Sequence, residues 1–175
     1  MTKPTLNIGL IGSGFMGQAH ADAFRRARML YPNLPMVPHL YCLADANDEL
    51  AAKAAARFGF ETSTGDWRKM INDPKVDVVD ITSPNHLHCE MALAAIEAGK
   101  HVYCEKPLAV TLDDAEEMAA AARAMPMPLK ASVSGEKKAT ASAQTARPSA
   151  NPIRPSSSVV EARPGASPVA AARSE

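Results

Sequence analysis

The chain has 175 residues, enough for one domain and too few for two of ordinary size. With 46% hydrophobic residues, 22% charged residues and a formal net charge of +0, it reads as globular and shows no charge bias that calls for nucleic acid or an anionic membrane. No run of ~20 apolar residues suggests a transmembrane helix. Met1-Thr-Lys-Pro-Thr leads into a strand without a signal-peptide pattern, and Cys42, Cys89 and Cys104 are too few and too scattered for a metal site or a disulfide framework, so a reduced, cytoplasmic setting is the default.

The apolar run Leu6–Ile11 predicts a short buried strand. It enters Gly12-Ser-Gly14-Phe-Met-Gly17, and Gln18–Arg28 then reads as a helix. Strand, glycine turn and helix form the context of a dinucleotide-binding fingerprint. Gly12 permits the tight turn, Gly14 lets the backbone approach a pyrophosphate, and Gly17 lets the helix pack closely. The helix offers free N–H groups and a positive dipole end to the phosphates.

Tyr31–Pro38 predicts a proline-rich loop. A second strand, His39–Ala44, ends at Asp45. An acidic residue there is the ribose-binding element of the fingerprint, with the proline loop as an insertion that lengthens the usual spacing of ~20 residues. The alternative role for Asp45 is to cap the next helix, Asn47–Phe58. A carboxylate at the ribose disfavours a 2′-phosphate, so NAD is favoured over NADP.

Gly59 ends that helix, and Phe60–Thr62 reads as a short edge strand. Ser63 or Thr64 is expected to cap a short helix over Asp66–Asn72, in which Trp67 packs into the core. Val76–Thr82 is a β-branched strand ending in Ser83-Pro84-Asn85, followed by a helix over His86–Ala98. Lys100–Cys104 is the last strand and ends in Glu105-Lys106-Pro107. Thr111-Leu-Asp-Asp114 opens a helix over 111–124. Asp113, Asp114, Glu116 and Glu117 suit its dipole and read as a solvated face, not as an acid pair. His20 and His39 read as structural or exposed, and Cys104 as a buried, inert thiol.

Strands alternating with helices give a doubly wound parallel α/β sheet of Rossmann type. Ligands bind such sheets beyond the carboxyl ends of the strands. The glycine turn, Asp45, Ser83–Asn85 and Glu105–Pro107 all lie at such ends and should converge on one rim.

Composition changes near residue 125. From Pro126 onward there is no aromatic residue, the only Leu and Ile are Leu129 and Ile153, and seven of the fourteen prolines occur. Seven Lys/Arg against three Asp/Glu give this segment +4 and leave −4 on residues 1–125. It cannot bury enough apolar surface to offset its ordering entropy. The expected organisation is a nucleotide-binding domain over 1–125 and a disordered Ala/Ser/Pro/Arg-rich tail over 126–175.

GLIGSGFMGQAHADAF at 9–24, TSPNHLH at 82–88 and AGKHVYCEKP at 98–107 resemble, in residues and spacing, the glucose–fructose oxidoreductase / inositol dehydrogenase family (Gfo/Idh/MocA) over roughly residues 5–125. The resemblance implies an NAD(P)-dependent oxidoreductase acting on a sugar or polyol, with a Rossmann domain followed by an α/β domain that supplies the substrate pocket and drives oligomerisation. It implies that Gly12, Gly14, Phe15, Met16 and Gly17 hold the pyrophosphate and Asp45 the ribose. Ser83, Pro84 and Asn85 would line the cofactor with His88 close behind. Glu105 and Lys106 would sit near the nicotinamide, Lys106 being the catalytic candidate, and a cis Lys106–Pro107 bond is common in the family. A positive group at the reacting carbon stabilises a developing alkoxide. The family's further catalytic Asp and His have no counterpart here, the last histidine being His101. The tail reads as the product of a frameshift where the next strand is due, or as a genuine disordered tail. As written, the polypeptide is expected to bind NADH without turning over substrate.

Overall fold

The computed structural model describes residues 3–125; the tail expected over 126–175 lies outside the described residues. Five parallel strands form one sheet in the order β3-β2-β1-β4-β5, with β1 Thr5–Ile11, β2 Val37–Ala44, β3 Thr62–Thr64, β4 Val78–Ile81 and β5 His101–Cys104. Between them run α1 Phe15–Leu30, α2 Asp48–Phe58, α3 Trp67–Asn72 and α4 His88–Glu97, and α5 Leu112–Ala124 follows β5. The chain starts in the middle of the sheet and winds outward in both directions. This is the doubly wound architecture that strand–helix alternation dictates.

Both sheet faces are covered, so the central strands carry apolar side chains on each side. On one face Leu10, Leu40 and Leu43 pack with Ala21 of α1 and with Ala51, Ala55 and Phe58 of α2. On the other, Ile11, Val79 and Ile81 pack with Met70 and Ile71 of α3, Met91 and Ala95 of α4 and Met118 of α5. The run of small alanines on α2 and α4 lets these helices lie close to the sheet.

Several local expectations need correction. Helix α1 begins at Phe15, three residues earlier than Gln18, so Gly17 is already helical. Strand β2 starts inside the proline loop, with Val37 and Pro38 opposite Thr5 and Leu6. Proline is tolerated there because it lies at the start of the strand. The edge strand is Thr62–Thr64, not Phe60–Thr62, and Phe60 is buried against α2. Asp66 caps α3 by accepting from the Arg68 N–H, whereas Thr64 accepts from the Asp66 N–H instead. The helix expected over 86–98 opens with a separate 3₁₀ turn at Asn85–Leu87. Thr111 does cap α5, accepting from the Asp114 N–H.

A register shift between Ile8 and Gly9 bulges β2, leaving Tyr41 without a partner on β1. The bulge directs both Tyr41 and Cys42 into the same core. There the Tyr41 hydroxyl donates to Asp73 at 2.9 Å.

Candidate functional site

The glycine turn is built by contacts that leave no room for side chains at two of its positions. Gly12 has φ +95°, a conformation that a residue with a Cβ rarely adopts. A Cβ on Gly17 would stand 2.1 Å from the Gly12 carbonyl oxygen and 3.0 Å from Thr82 Oγ1. Thr82 closes the turn from β4, its hydroxyl lying 3.0 Å from the Ile11 carbonyl and 2.9 Å from that of Gly12. Gly14 differs: a Cβ there meets nothing within 4 Å. Its position faces open space, where a ligand can approach the backbone.

Gly14 occupies the N-cap of α1 and supplies no side-chain acceptor. The first turn also contains no acidic residue. Its amides and the positive end of the helix dipole are therefore available to an external anion. The Asp45 carboxylate accepts from the Ser13 N–H at 2.9 Å and from the Ala46 N–H at 2.7 Å. It faces the glycine turn and does not cap α2; Asn47 does that, accepting from the Leu50 N–H. A carboxylate has further lone pairs with which to accept from hydroxyls.

An open groove of about 500 Å³ runs along this rim. Its lining includes Gly12, Gly14, Phe15 and Met16 from the glycine turn and α1, Asp45 from the end of β2, and Ser83 and Pro84 from the loop after β4. Ser13 and Thr82 complete it. Phe15 is 86% exposed, a large apolar ring at the mouth of the groove. Gly17 lies beneath the turn and not on the groove wall. Asn85, which opens the 3₁₀ turn, Glu105 and Lys106 are likewise not part of the wall.

His88 is buried, with 1% of its surface exposed. Its Nε2 lies 2.9 Å from the Ser83 carbonyl and its Nδ1 3.1 Å from the Pro107 carbonyl. The ring thus sits behind the groove and ties the loop after β4 to the loop after β5. Held between these two carbonyls, the imidazole supports both loops from behind.

Glu105 follows β5, and its own N–H donates to the Ile81 carbonyl at 2.9 Å. Its Oε2 accepts from the Lys106 backbone N–H at 3.2 Å. Lys106 precedes a cis peptide bond to Pro107. Its side chain is 86% exposed and its Nζ lies 4.0 Å from Glu105, so the ammonium is free to reach a ligand.

Sequence reasoning missed the cluster beneath Glu105. Asp80 is fully buried in β4, and His20 of α1 is mostly buried. His20 Nδ1 lies 3.0 Å from both Asp80 oxygens, and Nε2 lies 3.2 Å from Glu105 Oε1. Burial pushes the Asp80 carboxyl up to about 6; His20 opposes the shift and Glu105 adds to it. The available signal was Asp80 itself, a carboxylate inside the apolar run Val-Val-Asp-Ile, which needs a partner when the strand is buried. Burial, with Asp80 and Glu105 nearby, also pushes the Cys104 thiol up to about 11, leaving it protonated at neutral pH and a poor nucleophile. Away from this rim, Cys89, Asp114 and Glu117 bring ligand atoms within 4.8 Å of one another. Burial raises the Cys89 thiol too, and the nearby Asp114 and Glu117 carboxylates add to the shift.

Known proteins resemble this chain in sequence and in structure. Over 113 residues it is 57% identical to levoglucosan dehydrogenase of Pseudarthrobacter phenanthrenivorans, covering 65% of this chain and 29% of that protein. It is 34% identical to myo-inositol 2-dehydrogenase of Thermotoga maritima over 115 residues, 65% of this chain and 31% of that one. A crystal structure of an NAD binding oxidoreductase from Klebsiella pneumoniae matches with 68% identity and a TM-score of 0.68, over 69% of this chain and 32% of that one. Levoglucosan dehydrogenase in complex with NADH and L-sorbose matches with 54% identity and a TM-score of 0.68, over the same shares. The chain thus spans about 30% of the length of the curated relatives it matches. No helix among the described residues is long and apolar enough to cross a membrane. The model of the oxidoreductase family with an NAD-binding Rossmann fold matches residues 6–131, so the chain belongs to the Gfo/Idh/MocA oxidoreductases and carries their NAD-binding domain.

Proposed function

We propose that residues 1–125 are the cofactor half of an oxidoreductase that moves hydride between NAD and a hydroxyl-bearing carbon of a sugar or polyol. Anhydrosugars and inositols are the leading substrate classes, because the relatives include levoglucosan and inositol dehydrogenases. The observation that carries the reading is the convergence of an uncapped helix N-terminus, an open Gly14 and the Asp45 carboxylate on one groove. The α1 amides bind the pyrophosphate, and Asp45 accepts from the adenosine ribose hydroxyls, favouring NAD over NADP. Ser83, Pro84 and Asn85 follow the cofactor toward the loop after β5. There Glu105 and Lys106 flank the nicotinamide end.

Held in this groove, NAD would supply the hydride acceptor. Lys106 then orients the substrate hydroxyl and stabilises negative charge on its oxygen as the proton leaves to a base. The product is a carbonyl, and one proton is released for each hydride transferred. A cytoplasmic setting supplies the cofactor. The Ala/Ser/Pro/Arg-rich segment 126–175 is proposed to lie outside this domain.

A second reading is an NAD-holding module without turnover of its own. One observation favours it: the features proposed for the pyrophosphate and ribose line one groove, and Lys106 is not part of its wall. Both readings require NADH binding. A fluorescence titration with NADH, followed by NAD reduction assays with levoglucosan and myo-inositol, tests them in turn. Binding without reduction supports the module; reduction of NAD supports the enzyme. Absence of NADH binding refutes both.

A further inference from the structure

We propose that His20 is a positioning residue for Lys106, acting through Glu105 as a bridge between the helix that opens the glycine turn and the loop after β5. The inference rests on the proposed placement of Glu105 and Lys106 at the nicotinamide end of NAD.

Three elements meet at this ring. His20 stands three residues after Gly17 on α1. Asp80 comes from β4, and Glu105 follows β5. The ring contacts Asp80 through Nδ1 at 3.0 Å and Glu105 through Nε2 at 3.2 Å. Carboxylates only accept hydrogen bonds, and a neutral imidazole has one N–H. Two such bonds therefore need two protons in the cluster, shared between the ring and the two carboxyls. Tyr103 closes the site from β5, its ring centroid 5.3 Å from that of His20.

The chain of contacts continues to Lys106. His20 engages Glu105 Oε1, and Glu105 Oε2 accepts from the Lys106 backbone N–H. The Lys106 ammonium itself is exposed and makes only a 4.0 Å approach to Glu105. Its side chain is 86% exposed, so the position of its reach is set by its backbone. That backbone is held by Glu105, and Glu105 is held by His20. A helix whose N-terminus receives the pyrophosphate is thereby tied directly to the residue at the other end of the cofactor.

The test compares NADH with ADP-ribose, which keeps the adenosine and pyrophosphate and lacks the nicotinamide. Both affinities are measured on the full chain and on His20→Gln, which keeps a polar side chain of similar length. Loss of a hydrogen bond to a charged group should weaken NADH about tenfold while ADP-ribose stays within about twofold. The Lys106 amide resonance should shift in the same variant. Equal weakening of both ligands would overturn the proposal, because a merely structural histidine moves both alike. Unchanged NADH affinity would overturn it too. If the native chain binds ADP-ribose as tightly as NADH, the placement of Glu105 and Lys106 falls, and the inference with it. If it binds neither, the cofactor reading fails first.

Should His20→Gln not fold, ¹⁵N-histidine spectra of the native chain give the answer. Slowly exchanging protons at both ring nitrogens, each in a hydrogen bond, support the bridge. A ring with one proton and a free second nitrogen overturns it.

Discussion

Gly14 and Gly17 belong to one turn, and the structure separates their roles sharply enough to test by alanine. At Gly17 the added Cβ stands 2.1 Å from a backbone carbonyl oxygen. Carbon and oxygen approach no closer than about 3.3 Å even in favourable contacts, so α1 and the turn must part by roughly 1 Å. Neither atom belongs to a flexible side chain, so little relaxation is available. Overpacking of this kind costs about 2–3 kcal/mol. For a domain of this size that is a fall in Tm of roughly 6–15 °C. At Gly14 the Cβ meets nothing within 4 Å, and φ is −65°, a value any residue adopts. The entropy gained by restricting the unfolded chain and the slightly poorer N-cap nearly cancel, so Tm should move by under about 1 kcal/mol equivalent. The added methyl projects into the space proposed for the pyrophosphate, and NADH affinity should fall at least about tenfold. Thermal unfolding and NADH fluorescence titration on the native chain and both variants decide the matter. The reasoning is refuted if Gly14→Ala lowers Tm as much as Gly17→Ala, or binds NADH as the native chain does.

The other predictions concern charges. Asp45→Ser should lower NADH affinity about tenfold and narrow the preference over NADPH, read by competitive titration; a widened preference would contradict the ribose role. Asp80 is raised in the folded state to about 6 from an ordinary value of 3.8, so the native protein binds its proton more tightly than the unfolded chain. Its contribution is greatest below pH 4 and is lost as pH rises through about 6, and Asp80→Asn should flatten this part of the stability curve. His20 and Glu105 face this carboxyl, so the difference between native and variant denaturant midpoints is the quantity to plot. Lys106→Met should leave Tm within about 0.5 kcal/mol equivalent because the side chain is 86% exposed. If NAD reduction is detected with the native chain, this variant should abolish most of it.

Much of the rim was legible because its signals are local. Gly12–Gly17 lies within one turn, Asp45 ends a strand, and Thr111 and Asp114 stand at capping distance. Helix and strand alternation fixed the parallel sheet and therefore the side on which these loops meet. Other features depend on partners distant in sequence. His20 meets Asp80 across 60 residues and Glu105 across 85, and no spacing rule reaches that far. The bulge at Tyr41 was hidden because an apolar buried strand reads the same with or without an extra residue. The α3 cap was misplaced because Ser63, Thr64 and Asp66 can all cap. Pairing of Thr64 with Ala44 in β3 leaves the position to Asp66.

His88 makes the loops after β4 and β5 a single mechanical piece. A shift of either carbonyl it meets, Ser83 or Pro107, strains a hydrogen bond of the buried imidazole. Displacement of the groove wall is therefore coupled to displacement of the lysine-bearing loop. A ligand that steadies Ser83 also steadies the chain around Pro107, one residue from Lys106. In hydrogen exchange the two loops should gain protection together on NADH addition, although a whole helix and strand, α4 and β5, separate them in sequence.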